Sequence, residues 1–419
     1  MEFDYSALRA KRMSAVRDSP TMAMNKIAKQ LASEGKPVVN FTIGEPDADT
    51  PENIKQAAIK AIQAGRTKYP AVQGDLDLRE AIREKFRREN GLDYSLEEII
   101  VCGGGKHVIF NAFMATLQDG DEVVIPNPFW TSYEDIVTLF GAQPVFVVTP
   151  KSSGFKLNPA DLDKAITRKT KWVMINSCCN PTGAKYSRKE MAAIGEVLLR
   201  HPHVMILTDD IYEHMSYDTE PFCSVAQVMP ALKSRTLTLN GISKAYRMTG
   251  WRIGYAGGPK KLIMDMVTLQ SQQITGASTI SQAAAVEALM GPQNHVTEQK
   301  EVYRRRRDLM VTELNKIPGL DCPKPEGAFY VFVDCGQLIG KVRPDNGQPI
   351  KDDKEFVEYL LYHAHVATVP GQFFGGGNGH FFRISYAASE EKLAEGCRRI
   401  AKACADLTSG ENTGKTKIA

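Results

Sequence analysis

The sequence predicts an α/β fold in which a large domain, built on a mostly parallel seven-stranded sheet covered by helices, precedes a smaller α+β domain. The first observation is length, because 419 residues exceed the roughly 250–300 residues at which single cores stop growing. The second is that helical patterns alternate with short apolar runs between about residues 50 and 290, which is typical of parallel strands covered on both faces. These runs are EEIIVCG, DEVVIP, QPVFVV, KWVMINS, VMILTDD, TLTLNG and RIGYAGG.

The third observation is a change of pattern in the C-terminal part of the chain. After a long helical stretch at about residues 295–316, the runs AFYVFVD, HVATVP and HFFRISYA alternate apolar and polar residues, as half-buried strands do. We therefore predict a large domain over residues 50–300 and a small domain over residues 301–408. Residues 409–419 are small, polar and charged, a composition that predicts a disordered tail.

Composition excludes several classes of protein. With 43% hydrophobic residues, 24% charged residues and a net charge of +3, the chain is ordinary for a soluble enzyme and carries no nucleic-acid footprint. No run approaches the ~20 apolar residues that span a bilayer, and the start lacks the apolar core of a secretory signal. The eight cysteines include no CxxC pair, so we expect reduced thiols, a cytoplasmic protein and no metal site.

Polar residues stand where three of the predicted strands end. Asn180 follows KWVMINS, Asp209 ends VMILTD, and Lys244 follows TLTLNG. Ligands of open α/β sheets bind beyond the carboxyl ends of the strands. We therefore expect these three side chains to converge on one site.

Lys244 and Arg252 suggest the chemistry of that site. A lysine on a rigid turn after a strand can bond covalently to a carbonyl cofactor, and a guanidinium suits a phosphate better than a second ammonium. Together they indicate pyridoxal phosphate. The alternative from spacing alone is an ordinary surface lysine and arginine near a strand end.

Further segments carry a resemblance to a known family. In chain order they are FTIGEPDADTP (41–51), TKYPAVQGDLDLREAI (67–82), GGGKHVIFNAF (103–113), NPFWTSYEDI (127–136), NSCCNPTGAKY (176–186), TDDIYEHM (208–215), LNGISKAYRMTGWRIGYAGGP (239–259), PEGAFYVFVD (325–334) and VPGQFFGGGNGHFFRISYA (369–387). With this ordered set the chain resembles the class I aminotransferases of pyridoxal-phosphate fold type I, most closely their aspartate aminotransferase-like branch.

The resemblance implies an activity and an assembly. It implies transamination between an L-amino acid and a 2-oxo acid by a ping-pong mechanism, with Lys244 as the catalytic residue. It implies that residues 1–49 form an arm and a helix that join the small domain or cross to a partner subunit. Tyr69 resembles the tyrosine that family members lend to the neighbouring subunit's phosphate, which implies a homodimer with shared sites.

Three residues are expected at the pyridine ring of the cofactor. A carboxylate must face the ring nitrogen, because only a protonated ring acts as an electron sink, and Asp209 resembles the family's acid for this role. Tyr212 and Asn180 resemble the two donors to the ring's phenolic oxygen. The alternatives are that Asp209 caps a helix and that the NPTG sequence at Asn180 is an ordinary turn.

The phosphate is expected at the start of a helix. The glycine run before Lys106 follows a strand and opens a helical pattern, so the backbone N–H groups of Gly105 and Lys106 can cradle an anion, with Arg252 as its charged partner. Many relatives carry a serine three residues before the lysine, where this chain has Gly241. One phosphate contact is therefore expected to be missing or replaced by water, and Ser243, which is adjacent to the lysine, is a further candidate for it.

The remaining candidates concern the ring face and the substrate. Trp130 resembles the aromatic residue that stacks on the pyridine ring. Arg383 resembles the arginine that binds the substrate's α-carboxylate through two parallel hydrogen bonds, and the backbone N–H of Gly44 is expected beside it. The alternative for Arg383 is a permanent salt bridge to a protein acid.

Specificity rests on two residues. In the branch that this chain resembles, counterparts of Lys106 and Thr21 meet the side-chain carboxylate of dicarboxylic substrates, which favours aspartate or glutamate. The alternatives for these two are a solvated lysine and a helix-capping threonine. Because Cys178-Cys179 stands where relatives often have Pro-Asn, aromatic, prephenate or other amino donors stay open, as does β-elimination or a cyclase reaction on the same fold.

Overall fold

The computed structural model describes residues 5–375 and 379–408, so the predicted disordered tail lies outside the described residues. The helices are α1 (Pro20–Ser33), α2 (Glu52–Gln63), α3 (Leu76–Asn90), α4 (Gly105–Thr116), α5 (Ser132–Leu139), α6 (Pro159–Ala165), α7 (Arg188–Leu199), α8 (Val225–Val228), α9 (Lys260–Gln273), α10 (Thr279–Met290), α11 (Asn294–Leu314), α12 (Asp353–His363) and α13 (Glu390–Asp406).

The strands follow the apolar runs of the sequence. They are β1 (Val39–Asn40), β2 (Ile99–Cys102), β3 (Glu122–Asn127), β4 (Gln143–Val148), β5 (Thr170–Asn176), β6 (Met205–Asp209), β7 (Thr236–Gly241), β8 (Gly254–Gly257), β9 (Tyr330–Asp334), β10 (Val366–Ala367), β11 (Val369–Pro370) and β12 (Phe381–Ser385).

The central sheet contains all seven predicted strands, in the order β2-β8-β7-β6-β5-β3-β4. Neighbouring strands are parallel except β8, which runs antiparallel to both β7 and β2. The predicted α/β fold with a mostly parallel seven-stranded sheet is confirmed. The central strands β6 and β7 are almost wholly buried because helices cover both faces of the sheet.

The C-terminal part forms a separate small sheet, as predicted, but β9 and β12 are buried along almost their whole length instead of alternating between buried and exposed residues. Strands β11, β12 and β9 pair antiparallel, and β1 pairs parallel with β10. The hydrophobic cluster around this sheet includes Met24, Ala28 and Phe41 together with residues of β9, α12 and α13. The N-terminal helix therefore packs on the C-terminal part, while the predicted domain boundaries at 50, 300 and 408 stay a prediction.

The reversed direction of β8 creates the edge at which the candidate site lies. Gly254 at the start of β8 pairs with Gly241 at the end of β7 and with Cys102 at the end of β2. A Cβ atom at Gly254 would lie 2.3 Å from the backbone of Gly104 and Gly105. Glycine at this position therefore allows the loop before α4 to lie directly against β8.

No described helix is both long and apolar enough to cross a lipid bilayer.

A buried ion pair lies between α3 and the central sheet. Lys85 has no exposed side-chain surface and pairs with Glu213, which follows β6. Asn90 and Asn240 donate hydrogen bonds of 2.6 and 2.8 Å to the same carboxylate. Although burial raises the pKa of Glu213, the charges of Lys85 and His214 outweigh it and hold that pKa below its ordinary value. The Glu213 carboxylate is therefore charged, and Lys85 contributes most to stabilising this charge.

Removing Lys85 should therefore destabilise the fold. We expect Lys85→Met to lower the free energy of unfolding by about 3–5 kcal/mol, because it leaves a buried carboxylate without its counter-charge. The matched control is Lys55→Met, which removes an exposed partner of Glu52 and should change stability by less than about 1 kcal/mol. Urea titrations of both variants measure the difference, and equal stabilities would contradict the prediction.

Candidate active site

A cavity of about 360 Å³ opens at the carboxyl edge of the central sheet. All of the predicted site residues except Tyr69 line it. They are Thr21, Gly44, Gly105, Lys106, Trp130, Asn180, Asp209, Tyr212, Ser243, Lys244, Arg252 and Arg383. The structure therefore brings together residues from α1, the loops after β1, β2, β3, β5, β6 and β7, and the small sheet.

Lys244 lies in this cavity, three residues beyond the end of β7. Its Nζ donates a hydrogen bond of 2.6 Å to the backbone oxygen of Gly44 and lies 5.8 Å from the centre of the Tyr212 ring. Burial, aided by the positive charges of Arg383 and Arg252, lowers the pKa of Lys244 to about 8. A substantial fraction of this amine is therefore neutral, and nucleophilic, near neutral pH.

Asp209 ends β6 and is held by two neighbours. The Tyr133 hydroxyl donates a hydrogen bond of 2.6 Å to its Oδ2, and Asn176 donates one of 2.8 Å to its backbone oxygen. Its Oδ1 is buried and has no hydrogen-bond partner among the described residues. Burial raises the pKa of Asp209, whereas the Tyr133 hydroxyl and the charge of Lys244 oppose this rise. The free oxygen can accept a hydrogen bond from a ligand.

Arg383 on β12 connects the small sheet to the site. It donates hydrogen bonds of 2.8 Å to Oδ1 of Asn180 and 2.6 Å to the backbone oxygen of Thr42. The guanidinium lies 4.5 Å from the centre of the Tyr330 ring. Only 2% of Arg383 is exposed to solvent, and this burial lowers the pKa of its guanidinium. Arg383 forms no salt bridge with an acid in the described part of the chain. The alternative of a permanent salt bridge is therefore excluded for the described residues.

The start of α4 and Arg252 form a positively polarised cradle. The first N–H groups of a helix lack intrahelical partners, and in α4 these belong to Gly105 and Lys106. Arg252 donates to backbone oxygens of Thr249 at 2.7 Å and Gly103 at 3.4 Å. A Cβ at Gly104, whose φ is +104°, would lie 2.3 Å from the Arg252 guanidinium. The glycine therefore allows this charge to lie over the helix start.

Lys106 and Trp130 face each other across the cavity mouth. The ammonium of Lys106 lies 5.0 Å from the centre of the Trp130 ring. Burial and the nearby charge of Arg252 lower the pKa of Lys106. Thr21, in the first turn of α1, lines the same cavity. The two residues predicted to meet a substrate side chain thus border one space.

Tyr212 and Gly44 are fixed by Tyr330 on β9. The hydroxyl groups of Tyr212 and Tyr330 are 2.9 Å apart and hydrogen-bonded. A Cβ at Gly44 would lie 1.9 Å from the Tyr330 hydroxyl oxygen. Only glycine allows the backbone to pass this close to the tyrosine, and this passage brings the Gly44 oxygen to Lys244.

Tyr69 lies apart from the other predicted residues. Its side chain is 90% exposed and does not line the cavity. In a single chain it therefore contacts none of the groups described above. Its predicted role requires a second chain.

Three residues that position the site were missed by sequence reasoning. Tyr133 and Asn176 hold Asp209, and Tyr330 contacts Tyr212 and Arg383. Signals for two of them were available, because Tyr133 lies one helical turn after Trp130 and Asn176 is a polar residue at the end of β5. Tyr330 follows the apolar pattern of a strand and gave no such signal.

The charges of the cavity test whether pyridoxal phosphate fits. Lys106, Arg252 and Arg383 form no ion pair with an acidic side chain within the described ranges. These three cations can therefore bind anionic groups of a ligand. The free Oδ1 of Asp209 suits a pyridinium N–H, and the amine of Lys244 suits an aldehyde. These donors fit a phosphorylated pyridine aldehyde.

Comparison with known proteins agrees with this chemistry. The profile of the family "Aminotransferase class I and II" matches residues 36–400. The aspartate aminotransferase of Rhizobium meliloti (strain 1021) is 54% identical over 95% of this chain and 97% of its own length. The aspartate/prephenate aminotransferase of Cereibacter sphaeroides is 51% identical over 94% of this chain and 98% of its own length.

A solved structure shows the same architecture. The crystal structure of the aspartate aminotransferase from Rhizobium meliloti covers 96% of this chain and 99% of its own, at 54% identity and a TM-score of 0.92. The predicted resemblance, fold type, cofactor and transaminase activity are confirmed. The chain therefore belongs to the class I and II aminotransferases, enzymes of fold type I that use pyridoxal phosphate to transfer amino groups between small molecules.

Proposed function

We propose that the enzyme transfers the amino group of a dicarboxylic amino acid, aspartate or glutamate, to a 2-oxo acid by a ping-pong mechanism. The observation that carries this proposal is that, besides Lys244, three basic side chains line the cavity without acidic partners among the described residues: Lys106, Arg252 and Arg383. A phosphate, an α-carboxylate and a side-chain carboxylate are three anions for these three cations. Monocarboxylic substrates would leave one cation unpaired.

Lys244 is the proposed catalytic residue. When bound, pyridoxal phosphate supplies an electron sink for the carbanion at the substrate's Cα. Lys244 would move the proton between the substrate's Cα atom and the cofactor's C4′ atom, and its amine must be neutral to do so. The lowered pKa of Lys244, about 8, supports this role, since an ordinary lysine is almost fully protonated at that pH.

The residues around Lys244 are proposed to orient the cofactor. Asp209 would hold the pyridine nitrogen, Asn180 and Tyr212 would donate to the phenolic oxygen, and Trp130 would stack on the ring. The N–H groups of Gly105 and Lys106 would hold the phosphate, with Arg252 and the hydroxyl of Ser243 as further donors. The free Oδ1 of Asp209 and the unpaired charge of Arg252 support these assignments.

The substrate is proposed to lie between the two sheets. Arg383 takes the α-carboxylate in a fork of two hydrogen bonds, with the N–H of Gly44 beside it. The side chain of Lys106, together with Thr21, takes the distal carboxylate. Lys106 thus contributes its backbone to the phosphate and its side chain to specificity.

Prephenate is a second candidate substrate. The relative from Cereibacter sphaeroides, 51% identical, is named an aspartate/prephenate aminotransferase. Prephenate is a 2-oxo acid that carries a second carboxylate, so the same three cations would serve it. Its ring adds bulk near Trp130 and Met22, which is 62% exposed and lines the cavity.

We also propose a cytoplasmic homodimer with shared sites. The exposed Tyr69 would reach the phosphate of the neighbouring subunit, because it reaches no phosphate cradle within its own chain. All eight cysteines are free thiols and buried, in keeping with a reducing compartment.

Lys244 should carry the cofactor covalently. Borohydride treatment of the purified protein should fix one pyridoxyl group on the peptide that contains Lys244, as read by mass spectrometry. Lys244→Ala should lose this label and all turnover while still binding the cofactor. Lys164→Ala, a change at a solvent-exposed lysine, is the control and should retain both. Label on another lysine, or normal turnover by Lys244→Ala, would overturn the assignment.

Lys106→Ala should change specificity more than general activity. The lost charge-assisted contact should lower kcat/KM for aspartate by about tenfold to a hundredfold, whereas alanine, which has no distal carboxylate, should be used about as well as before. Prephenate, tested as amino acceptor in the same variant, should lose efficiency as aspartate does. Equal losses with aspartate and alanine would show that Lys106 does not contact the distal carboxylate.

Hybrid dimers should reveal whether Tyr69 is shared. Tyr69→Phe homodimers should bind pyridoxal phosphate less tightly, by about tenfold. When that chain is paired with Lys244→Ala, the hybrid contains one site with both Lys244 and a partner's Tyr69. That site should regain normal cofactor affinity, measured by titration of differently tagged, purified hybrids. If Tyr69 serves its own chain, no hybrid site recovers.

A further inference from the structure

The carboxylate of Asp209 accepts a hydrogen bond from one side chain, the phenol of Tyr133. The Tyr133 hydroxyl donates a hydrogen bond of 2.6 Å to Oδ2, and the other oxygen, Oδ1, has no partner in the part of the chain that the structure describes. Both side chains are buried. A phenol donates one proton and a carboxylate accepts several, so this bond fixes one oxygen and leaves the other for a ligand.

Tyr133 is itself held rigidly. It lies in the first turn of α5 and belongs to the hydrophobic cluster under the central sheet. Its ring meets that of Trp130 edge-on, with centres 5.4 Å apart and planes at 86°. The residues that follow it, Glu134 and Asp135, pair with Arg17. Packing therefore limits where its hydroxyl can lie.

We propose that Tyr133 is a positioning residue for cofactor binding: it keeps Asp209 ionised and turns Oδ1 toward the cavity. This inference rests on the proposed role of Asp209 at the pyridine nitrogen. Tyr133 acts through Asp209.

The physical reason is a competition between burial and hydrogen bonding. Burial favours the neutral form of a carboxylic acid, and an O–H donor favours the charged form. Asn176 cannot replace Tyr133, because it donates to the backbone oxygen of Asp209 and accepts from the N–H of Asn180. Without the phenol, Oδ2 loses its donor and the carboxyl group can rotate. A protonated or rotated acid holds a pyridinium N–H less well.

The test uses the full-length protein and pyridoxal phosphate itself. We expect Tyr133→Phe to raise the dissociation constant for pyridoxal phosphate, measured by equilibrium dialysis, by about tenfold to a hundredfold. The kcat with aspartate should fall, while KM for aspartate should stay within about threefold. The matched control is Tyr186→Phe, another buried tyrosine, whose hydroxyl accepts from the N–H of Leu157 and does not contact Asp209; it should leave the dissociation constant unchanged.

A double-mutant cycle separates this inference from the proposed function. Asp209→Asn should weaken cofactor binding, and adding Tyr133→Phe to it should cause no further loss, because the two residues act as one unit. If the losses are additive, Tyr133 does not act through Asp209 and the inference is overturned. If Asp209→Asn weakens binding but Tyr133→Phe does not, the inference alone falls. If Asp209→Asn changes nothing, the proposed role of Asp209 falls and this inference falls with it.

Discussion

The site depends on positive charges that the protein itself does not neutralise. On the described surface many arginines and lysines pair with acids, as in the basic run 303–308, where Arg304, Arg306 and Arg307 each have a carboxylate partner. In the cavity, Lys106 and Arg383 have none among the described residues. Arg383 is buried, and because an unpaired buried charge is costly, its presence selects for an anionic ligand. Burial, aided by the charges of Arg383 and Arg252, lowers the pKa of Lys244 to about 8.

One reversed strand makes this concentration of charge possible. Lys244 and Arg252 are eight residues apart, and an ordinary parallel crossover would carry the second residue to the opposite edge of the sheet. Because β8 runs antiparallel to β7, its first residues lie at the edge where β7 ends. Gly254 then allows the backbone of Gly104 and Gly105 to approach. The close approach at Gly254, and that of Gly104 to the Arg252 guanidinium, thus bring this guanidinium, the N-terminus of α4 and the Lys244 amine to the same edge of the sheet.

The sequence predicted the elements better than their directions. All seven apolar runs became strands of the central sheet, because most of these strands are buried and buried strands have a strong apolar signal. The direction of β8 is set by hydrogen bonds to both neighbours and leaves no trace in residue periodicity. Likewise, Asp209 and Asn180 were found by their positions at strand ends, whereas Tyr133 and Tyr330 act through other residues and resemble core aromatics. The role of Tyr69 was predicted only from the family resemblance. It requires a second subunit, whose position cannot be derived from one sequence.

The unsatisfied atoms of the site indicate how ligand binding and stability are coupled. Oδ1 of Asp209 and Nε of Arg383 are buried without hydrogen-bond partners among the described residues, and each such group costs about 1–3 kcal/mol. Ligands that satisfy them bind the folded state only, so they stabilise it in proportion to their concentration. The cofactor would satisfy the first atom and a substrate carboxylate the second. The unsatisfied groups that are costly to bury are thus the groups that give the cavity its affinity for these ligands.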